Sequence, residues 1–260
     1  MRPLADWKAR GIVGVFTDID DTLTTEGAIT ADALQALADL RAAGLHVIPI
    51  TGRPVGWSEP FAQSWPVDAI VAENGAVGLL HKSGQALRKI YQQDSATRAA
   101  NFARMQAVLE HIEHTVAGAA RSRDSDGRET DIAIDHSEFT HLPPAAIDAV
   151  VQAMQAAGMT ATVSSIHING WYGEHDKLAG ARWIVHELFR RNLDAELERW
   201  VYVGDSTNDQ VMFEHFAHSV GVANIRRFEA QLSHPPRYIT PGERGAGFAE
   251  LARHLLRGRA

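Results

Sequence analysis

The stretch Phe16-Thr17-Asp18-Ile19-Asp20-Asp21-Thr22-Leu23 decides how the rest of the chain is read. Ahead of it, Ile12, Val13, Val15 and Phe16 carry the branched and aromatic bias of a buried strand. Three carboxylates then follow within four residues, where the strand should end. Like charges repel and desolvation penalises each of them, so the cluster costs stability unless a cation and a reaction sit there. The i, i+2 spacing of Asp18 and Asp20 lets both side chains point the same way from an extended segment. One can then attack a phosphorus atom while the other protonates the leaving oxygen. On this reading Asp18 is the nucleophile, Asp20 its general acid/base partner and Asp21 a loop residue. Taken alone, the triplet is explained equally well by a solvated loop or a helix N-cap.

Outward from this stretch, the chain alternates. A strand over 12–17 and a loop over 18–29 lead to a helix over 31–43, with Thr30 as N-cap, Leu34, Leu37 and Leu40 near one face and Gly44 as its stop. A strand over 45–50 follows, in which Pro49 must lie at the end or on an unpaired side. Thr51-Gly52-Arg53-Pro54 turns into a short helix, and a strand over 68–72 precedes Glu73-Asn74-Gly75-Ala76. This β-α-β-α-β order predicts an α/β fold with a parallel sheet and helices on both faces. The rhythm then changes. Residues 77–81 and 86–91 read as a hairpin around Lys82-Ser83-Gly84-Gln85, followed by a helix over 96–115, an Arg-bearing loop over 118–130 and a strand over 131–136. A helix opened by Pro143 and Pro144 and strands over 159–164 and 166–169 complete this middle block. The α/β rhythm returns with a helix over 176–192, a strand over 200–203, a helix over 208–216, strands over 219–222 and 237–240 and a terminal helix over 246–256. The shift in rhythm marks an inserted α+β module; one continuous irregular α/β domain is the alternative.

Composition removes several function classes. The net charge of -7 gives no electrostatic case for nucleic acid or an anionic membrane as partner. No cysteine is present, which excludes a disulfide framework, a thiolate zinc site and a cysteine nucleophile, and agrees with a cytoplasmic setting. The first ten residues have no signal-like apolar core, and no apolar run approaches the roughly 18–20 residues of a membrane helix. The 13 histidines are scattered without metal-ligand spacing.

Three further pieces stand at strand ends or on adjoining helices, where open α/β sheets bind ligands. Thr51-Gly52-Arg53 combines a hydroxyl with bare N–H groups at a helix start, a ready anion site, although an N-cap with a Pro-started helix accounts for it too. Lys177 opens a helix, where a cation opposes the helix dipole, and this misfit points to a partner anion; a solvated surface lysine is the plain alternative. In Gly204-Asp205-Ser206-Thr207-Asn208-Asp209, the i, i+4 carboxylates can clamp a hard cation that keeps several waters, as Mg²⁺ prefers, or simply cap a helix.

As a set, these pieces resemble the haloacid dehalogenase (HAD) superfamily of phosphohydrolases: Asp18-x-Asp20-x-Thr22 is similar to its first motif, Thr51-Gly52-Arg53 to its second, Lys177 to its third and Gly204-Asp205-x-x-Asn208-Asp209 to its fourth. The insertion between the second and third motifs resembles the cap of subgroup IIB, which includes Cof-like, sucrose-phosphate and mannosylphosphoglycerate phosphatases. The resemblance implies a Rossmann-like parallel sheet core over 1–76 and 171–260, with an inserted α+β cap domain over 77–170. It implies that Asp18 becomes an aspartyl phosphate, that Asp20 protonates the leaving alcohol and then activates water, and that Thr51, Gly52, Lys177 and Asn208 hold the phosphoryl oxygens. It places Mg²⁺ among Asp18, the Asp20 carbonyl and Asp205, with Asp209 a further ligand or an anchor. Many relatives have Gly where this chain has Asp21. The partner expected is a small phosphorylated metabolite, a phosphosugar, chosen by cap residues among which Arg123, His136 and Asn169 stand out, with Arg121, Arg128, His167, Trp171 and Tyr172 beside them. A phosphomutase using the same intermediate is the alternative, since Arg121, Arg123 and Arg128 offer grip for a second phosphate. A non-catalytic binding module on this fold is the third reading, and four filled motifs argue against it.

Overall fold

The computed structural model describes residues 1–82 and 84–258; Ser83, in the expected 82–85 hairpin loop, lies outside the described residues. In chain order the elements are β1 (Arg2–Pro3), β2 (Gly14–Thr17), a small hairpin of β3 (Thr24–Thr25) and β4 (Ala28–Ile29), α1 (Ala31–Ala42), β5 (His46–Pro49), α2 (Val55–Ser64), β6 (Ile70–Ala72), β7 (Val77–Leu80) and β8 (Arg88–Tyr91). There follow α3 (Ser95–Thr115), β9 (Ile132–Asp135), α4 (Pro144–Ala156), β10 (Thr160–Val163) and β11 (His167–Trp171). The chain closes with α5 (Lys177–Phe189), β12 (Trp200–Gly204), α6 (Gln210–His215), β13 (His218–Gly221), β14 (Tyr238–Ile239) and α7 (Arg244–Arg257). Among the described residues no helix is long and apolar enough to cross a membrane.

The core sheet runs β1-β14-β13-β12-β2-β5, and every neighbouring pair is parallel. Its strands are apolar at successive positions because both faces are covered. Val15, Val47 and Val201 point to the side packed by α1 and α7, with Leu37, Leu40 and Phe248. Their neighbours Phe16, Ile48 and Tyr202 point to the opposite side, with Ile184, Val185 and Phe216. The buried face of α1 is Ala33, Ala36, Leu37 and Leu40, whereas Leu34 is 37% exposed. Thr30 occupies the N-cap position, but its hydroxyl makes no capping bond. In β5 the N–H groups of His46 and Ile50 donate to Val13 and Thr17, so the nitrogen of Pro49 faces away from β2 and takes no bond from that ladder.

The hydrophobic clusters divide the chain differently from the boundary expected at residue 77. The hairpin β7–β8 pairs with β6, which meets β5 through the parallel bridge Ile50↔Val71. Val77 and Leu79 join the core cluster that holds Ile70 and Ala72. The hairpin therefore extends the core, because its apolar face is completed there. The separate cap cluster draws on α3, α4 and the antiparallel sheet β10-β11-β9: Met105, Leu109, Ile134, Val150, Met154 and Ile168 are its centre. Trp171 and Tyr172, expected on the return to the core, also belong to it.

Cap and core meet at the turn 73–75. Glu73 and Asn74 lie at φ 49° and 55°, an uncommon left-handed conformation for residues with side chains. The turn buries the Glu73 carboxylate against the N–H of Val55 at the start of α2, at 3.0 Å, and against the cap N–H groups of Glu129 and Thr130, at 2.9 and 2.5 Å. At Gly75 (φ 108°) a Cβ would fall 2.2 Å from the Asp176 carbonyl, and at Gly180 a Cβ would fall 2.5 Å from Gly75 Cα. These two glycines let α5 approach the turn backbone to backbone, which fixes the start of the helix that carries Lys177. Gly180→Ala should push α5 off the turn, costing about 1–3 kcal/mol by overpacking. The check is a denaturant titration beside the wild type; unchanged stability would mean that the turn gives way freely.

Candidate active site

The parallel register sets the site. Val203 on β12 stands opposite Thr17 on β2, and the Asp18 N–H donates to the Val203 carbonyl at 2.9 Å, so the residues that follow the two strands, Asp18 and Asp205, emerge side by side. The Ile50 N–H donates to the Thr17 carbonyl at 2.8 Å, which brings Thr51 and Gly52 to the same edge. Lys177 comes from the first turn of α5, where Asp176 caps the helix by accepting from the Ala179 N–H at 2.7 Å.

The ammonium of Lys177 is buried between two carboxylates, 2.6 Å from Asp18 Oδ1 and 2.7 Å from Asp209 Oδ1. The Tyr202 hydroxyl, from the middle of β12, also donates to Asp209 Oδ1. Asp209 Oδ2 accepts from the N–H groups of Asp205 and Ser206, at 2.9 and 3.2 Å. Both oxygens of Asp209 are therefore spent inside the protein. Of the two places expected for it, further ligand or anchor, these contacts are those of an anchor for Lys177 and the 205–209 turn. Residues 207–209 form a 3-10 turn ahead of α6, where one helix over 208–216 is expected from the sequence.

Asp205 is buried, and its Oδ2 accepts from Asn224 Nδ2 at 3.0 Å, while its Oδ1 has no partner. Burial pushes Asp18 up to about 8, against the pull of Lys177 and with the push of Asp209 and Asp20. Burial, with Asp18 and Asp209 beside it, raises Asp205 well above the usual carboxylate range. Three buried carboxylates, Asp18, Asp205 and Asp209, thus share one ammonium, and the unmatched oxygens of Asp18 and Asp205 fit a hard divalent cation. Among the described residues no three carboxylates or imidazoles converge as a ready cage, because Lys177 stands between Asp18 and Asp209. A cation at this edge would complete its shell with backbone, phosphate and water oxygens, the habit of Mg²⁺.

Asp20 faces Arg53, whose Nε lies 3.0 and 2.9 Å from its two oxygens. The same guanidinium reaches the cap, with Nη1 3.1 Å from Asp124 and Nη2 2.7 Å from Glu138. Sequence reading assigned no role to Arg53. The signal was present, since an arginine ahead of the α2 N-terminus opposes the helix dipole just as Lys177 does on α5. Thr51 Oγ1 accepts from the Arg53 N–H at 3.0 Å, and Asn208 Oδ1 accepts from the Ser206 hydroxyl at 2.9 Å. Asp18, Asp20, Gly52, His167, Asn169 and Asn208 line one narrow cavity under the cap.

The cap candidates separate. Asn169 reaches the site, where its amide donates to the Gly52 carbonyl at 3.3 Å and to Asp131 at 3.1 Å. Arg123 does not, because its exposed guanidinium lies over the ring of Phe139 at 3.9 Å. His136 is turned into the cap, where its Nε2 pairs with the Ser164 carbonyl at 3.0 Å. Arg121 pairs with Glu113 at 2.6 Å on the outside. The arginine that arrives is Arg128, buried between Asp131 at 2.7 Å and Asp124 at 3.2 Å. His167 pairs with Glu138 at 3.0 Å, and burial of that carboxylate is outweighed by His167 and Arg53, which bring it down to about 2. Glu138, Tyr202 and Asn224 carried no local motif and were not foreseen.

Comparison with known proteins agrees with this architecture. Residues 15–106 match the family model of the haloacid dehalogenase-like hydrolases. No curated protein sequence matches the chain. Among solved structures, a Thermoplasma acidophilum protein superimposes with a TM-score of 0.71 at 16% identity, covering 94% of this chain and 98% of its own. A HAD/Cof-like hydrolase of Plasmodium vivax gives 0.70 at 17% identity, with 96% and 97% covered. The sucrose-phosphatase of Synechocystis, solved with sucrose and phosphate, gives 0.67 at 16% identity, with 95% and 98% covered. The family model covers the first two of the four motifs, within residues 15–106, and over the whole chain the superposed structures show the HAD fold with its cap.

Removing the central cation tests the electrostatics directly. Lys177→Met should destabilise the protein by about 3–5 kcal/mol, because it leaves Asp18 and Asp209 buried without their counter-charge. Chemical unfolding of the two proteins side by side measures it; a loss below about 1 kcal/mol would mean that the buried ammonium is worth no more than a surface pair.

Proposed function

We propose that the protein is a Mg²⁺-dependent phosphatase that hydrolyses a small phosphorylated metabolite, a phosphosugar, through an aspartyl phosphate on Asp18. The observation that carries this reading is the buried Lys177 ammonium on Asp18 Oδ1, with the unmatched Asp205 Oδ1 at the same edge. Lys177 holds one oxygen of Asp18 and leaves Oδ2 to attack phosphorus. The P–O ester bond breaks, and Asp20, on the wall of the same cavity, gives its proton to the leaving oxygen. Asp20 then takes a proton from water, which attacks the acyl phosphate, frees inorganic phosphate and restores Asp18. The Thr51 hydroxyl, the Gly52 N–H, Lys177 and Asn208 hold the phosphoryl oxygens. Mg²⁺, held by Asp18, Asp205 and the Asp20 carbonyl, would supply the positive charge that lets an anionic nucleophile meet an anionic phosphate. The cap over the cavity excludes water and selects the alcohol. The cytoplasm is the setting that suits the cysteine-free composition.

A mutase needs a cap that grips a second phosphate. Arg121, Arg123 and Arg128 are instead held by Glu113, the Phe139 ring and the Asp124–Asp131 pair, so nothing favours that reading over hydrolysis.

Phosphate release across a panel of phosphosugars and other phosphomonoesters should require Mg²⁺, stop with a chelator and vanish in Asp18→Asn with the fold intact. Isomer formation without phosphate release would move the reading to a mutase. No release from any panel member, with ligand binding indifferent to Asp18→Asn, would remove the enzyme reading. A second outcome separates the two carboxylates. Asp20→Asn should slow hydrolysis of an alkyl phosphate by about a hundredfold or more, as expected for a lost general acid. In single-turnover release of p-nitrophenol from p-nitrophenyl phosphate, whose leaving group needs no proton, the loss should be much smaller. Equal losses on both would take the acid role from Asp20.

A further inference from the structure

The carbonyl oxygen of Gly52 accepts from two side chains, and both come from the cap: Arg128 Nη1 at 3.1 Å and Asn169 Nδ2 at 3.3 Å. Asp131 organises the pair. Its Oδ1 accepts from Arg128 Nη1 at 2.7 Å, and its Oδ2 accepts from Asn169 Nδ2 at 3.1 Å. Arg128, Asp131 and Asn169 are 5%, 0% and 1% exposed, so these contacts are made away from water. Arg128 does not line the cavity around Asp18, and its remaining donors are turned to Asp124, Ser122 and His167. It is not placed to grip a substrate.

What it grips is one end of a rigid unit. The Gly52 carbonyl and the Arg53 N–H belong to the same planar peptide, so fixing the oxygen fixes the direction of the N–H. That N–H donates to Thr51 Oγ1 at 3.0 Å. A hydroxyl oxygen that accepts from the backbone must send its own hydrogen elsewhere, and among the described residues Thr51 Oγ1 donates to none. Two donors on the carbonyl also polarise the peptide and strengthen its N–H as a donor.

We propose that Arg128 and Asn169 are positioning residues. By clamping the Gly52 carbonyl, the closed cap orients the Gly52–Arg53 peptide and aims the Thr51 hydroxyl at the phosphoryl group. Cap closure thereby completes the phosphate loop as well as covering it. This rests on the phosphatase reading, in which Thr51 holds a phosphoryl oxygen.

A double-mutant cycle between Arg128→Met and Thr51→Val tests it, with p-nitrophenyl phosphate as substrate and orthovanadate as competitive inhibitor. Each single variant should lower kcat/KM and weaken orthovanadate binding by about tenfold, the worth of one hydrogen bond to a charged group. In the Thr51→Val background, Arg128→Met should cost less than about twofold more, because the hydroxyl it orients is gone. Independent, additive losses would overturn the proposal; so would an Arg128→Met variant that melts earlier but keeps wild-type kcat/KM. If Arg128→Met does not fold, Asn169→Ala, which leaves the Arg128–Asp131 pair in place, is read in the same cycle against the same criterion. A wild-type protein that neither hydrolyses phosphomonoesters nor binds orthovanadate would sink the phosphatase reading and this inference with it. An active enzyme with an additive cycle sinks the inference alone.

Discussion

The arrangement depends on one buried ammonium. Lys177 joins Asp18 at the end of β2 to Asp209 beyond the end of β12, and its own backbone belongs to α5. Taking one cation and two anions out of water costs several kcal/mol per ion, and only close pairing offsets it. Tyr202 and the Asp205 and Ser206 N–H groups complete the shell of Asp209, which keeps that anion fixed. Asp18 is left with one partner and a free oxygen, while Asp205 has one oxygen unmatched. The protein thus stabilises Asp209 fully and leaves Asp18 and Asp205 under-neutralised. That asymmetry separates one fully paired anchor from two carboxylates that each keep an unmatched oxygen.

Arg53 makes a second centre, and it is shared between modules. Its guanidinium holds Asp20 of the core while also meeting Asp124 and Glu138 of the cap. Desolvation opposes its charge and the surrounding carboxylates more than restore it, so it stays a cation under the closed cap. The Arg53 guanidinium therefore ties core to cap inside the site, as the Glu73 carboxylate does at the turn beside it.

The sequence made the strand-end motifs legible because each is a local conflict, such as a carboxylate cluster after an apolar strand or a lysine at a helix start. Residues that resolve such conflicts from afar gave no such sign. Tyr202 reads as an ordinary apolar strand position, and its hydroxyl is understood only once β12 lies beside β2 in register. Glu73 reads as a turn residue until the cap places the Glu129 and Thr130 N–H groups over it. Arg123 and Arg128 share one loop and one chemistry, and the short 3-10 turn Ser125–Gly127 between them decides that one faces outward and the other inward. The hairpin after residue 77 was legible as a hairpin, but pairing partners are not local, and its apolar face found the core sheet rather than the cap.

Asp21, the third carboxylate of the opening stretch, acts through its backbone. It lies at φ 57°, with its side chain paired to Arg244 at 3.0 Å at the surface side of the loop. Its carbonyl accepts from Asn224 Nδ2 at 3.0 Å, and the same amide donates to Asp205 Oδ2 at 3.0 Å. Asn224 Oδ1 in turn accepts from the Arg244 N–H at 2.9 Å, closing a ring of contacts from the Asp18–Asp21 loop to α7 and back to Asp205. A left-handed residue right after Asp20 bends the chain so that this carbonyl can meet the amide that also holds Asp205. The aspartate that made the cluster conspicuous therefore serves Asp205 through the turn it adopts, and Asn224 carries that geometry across to the end of β12.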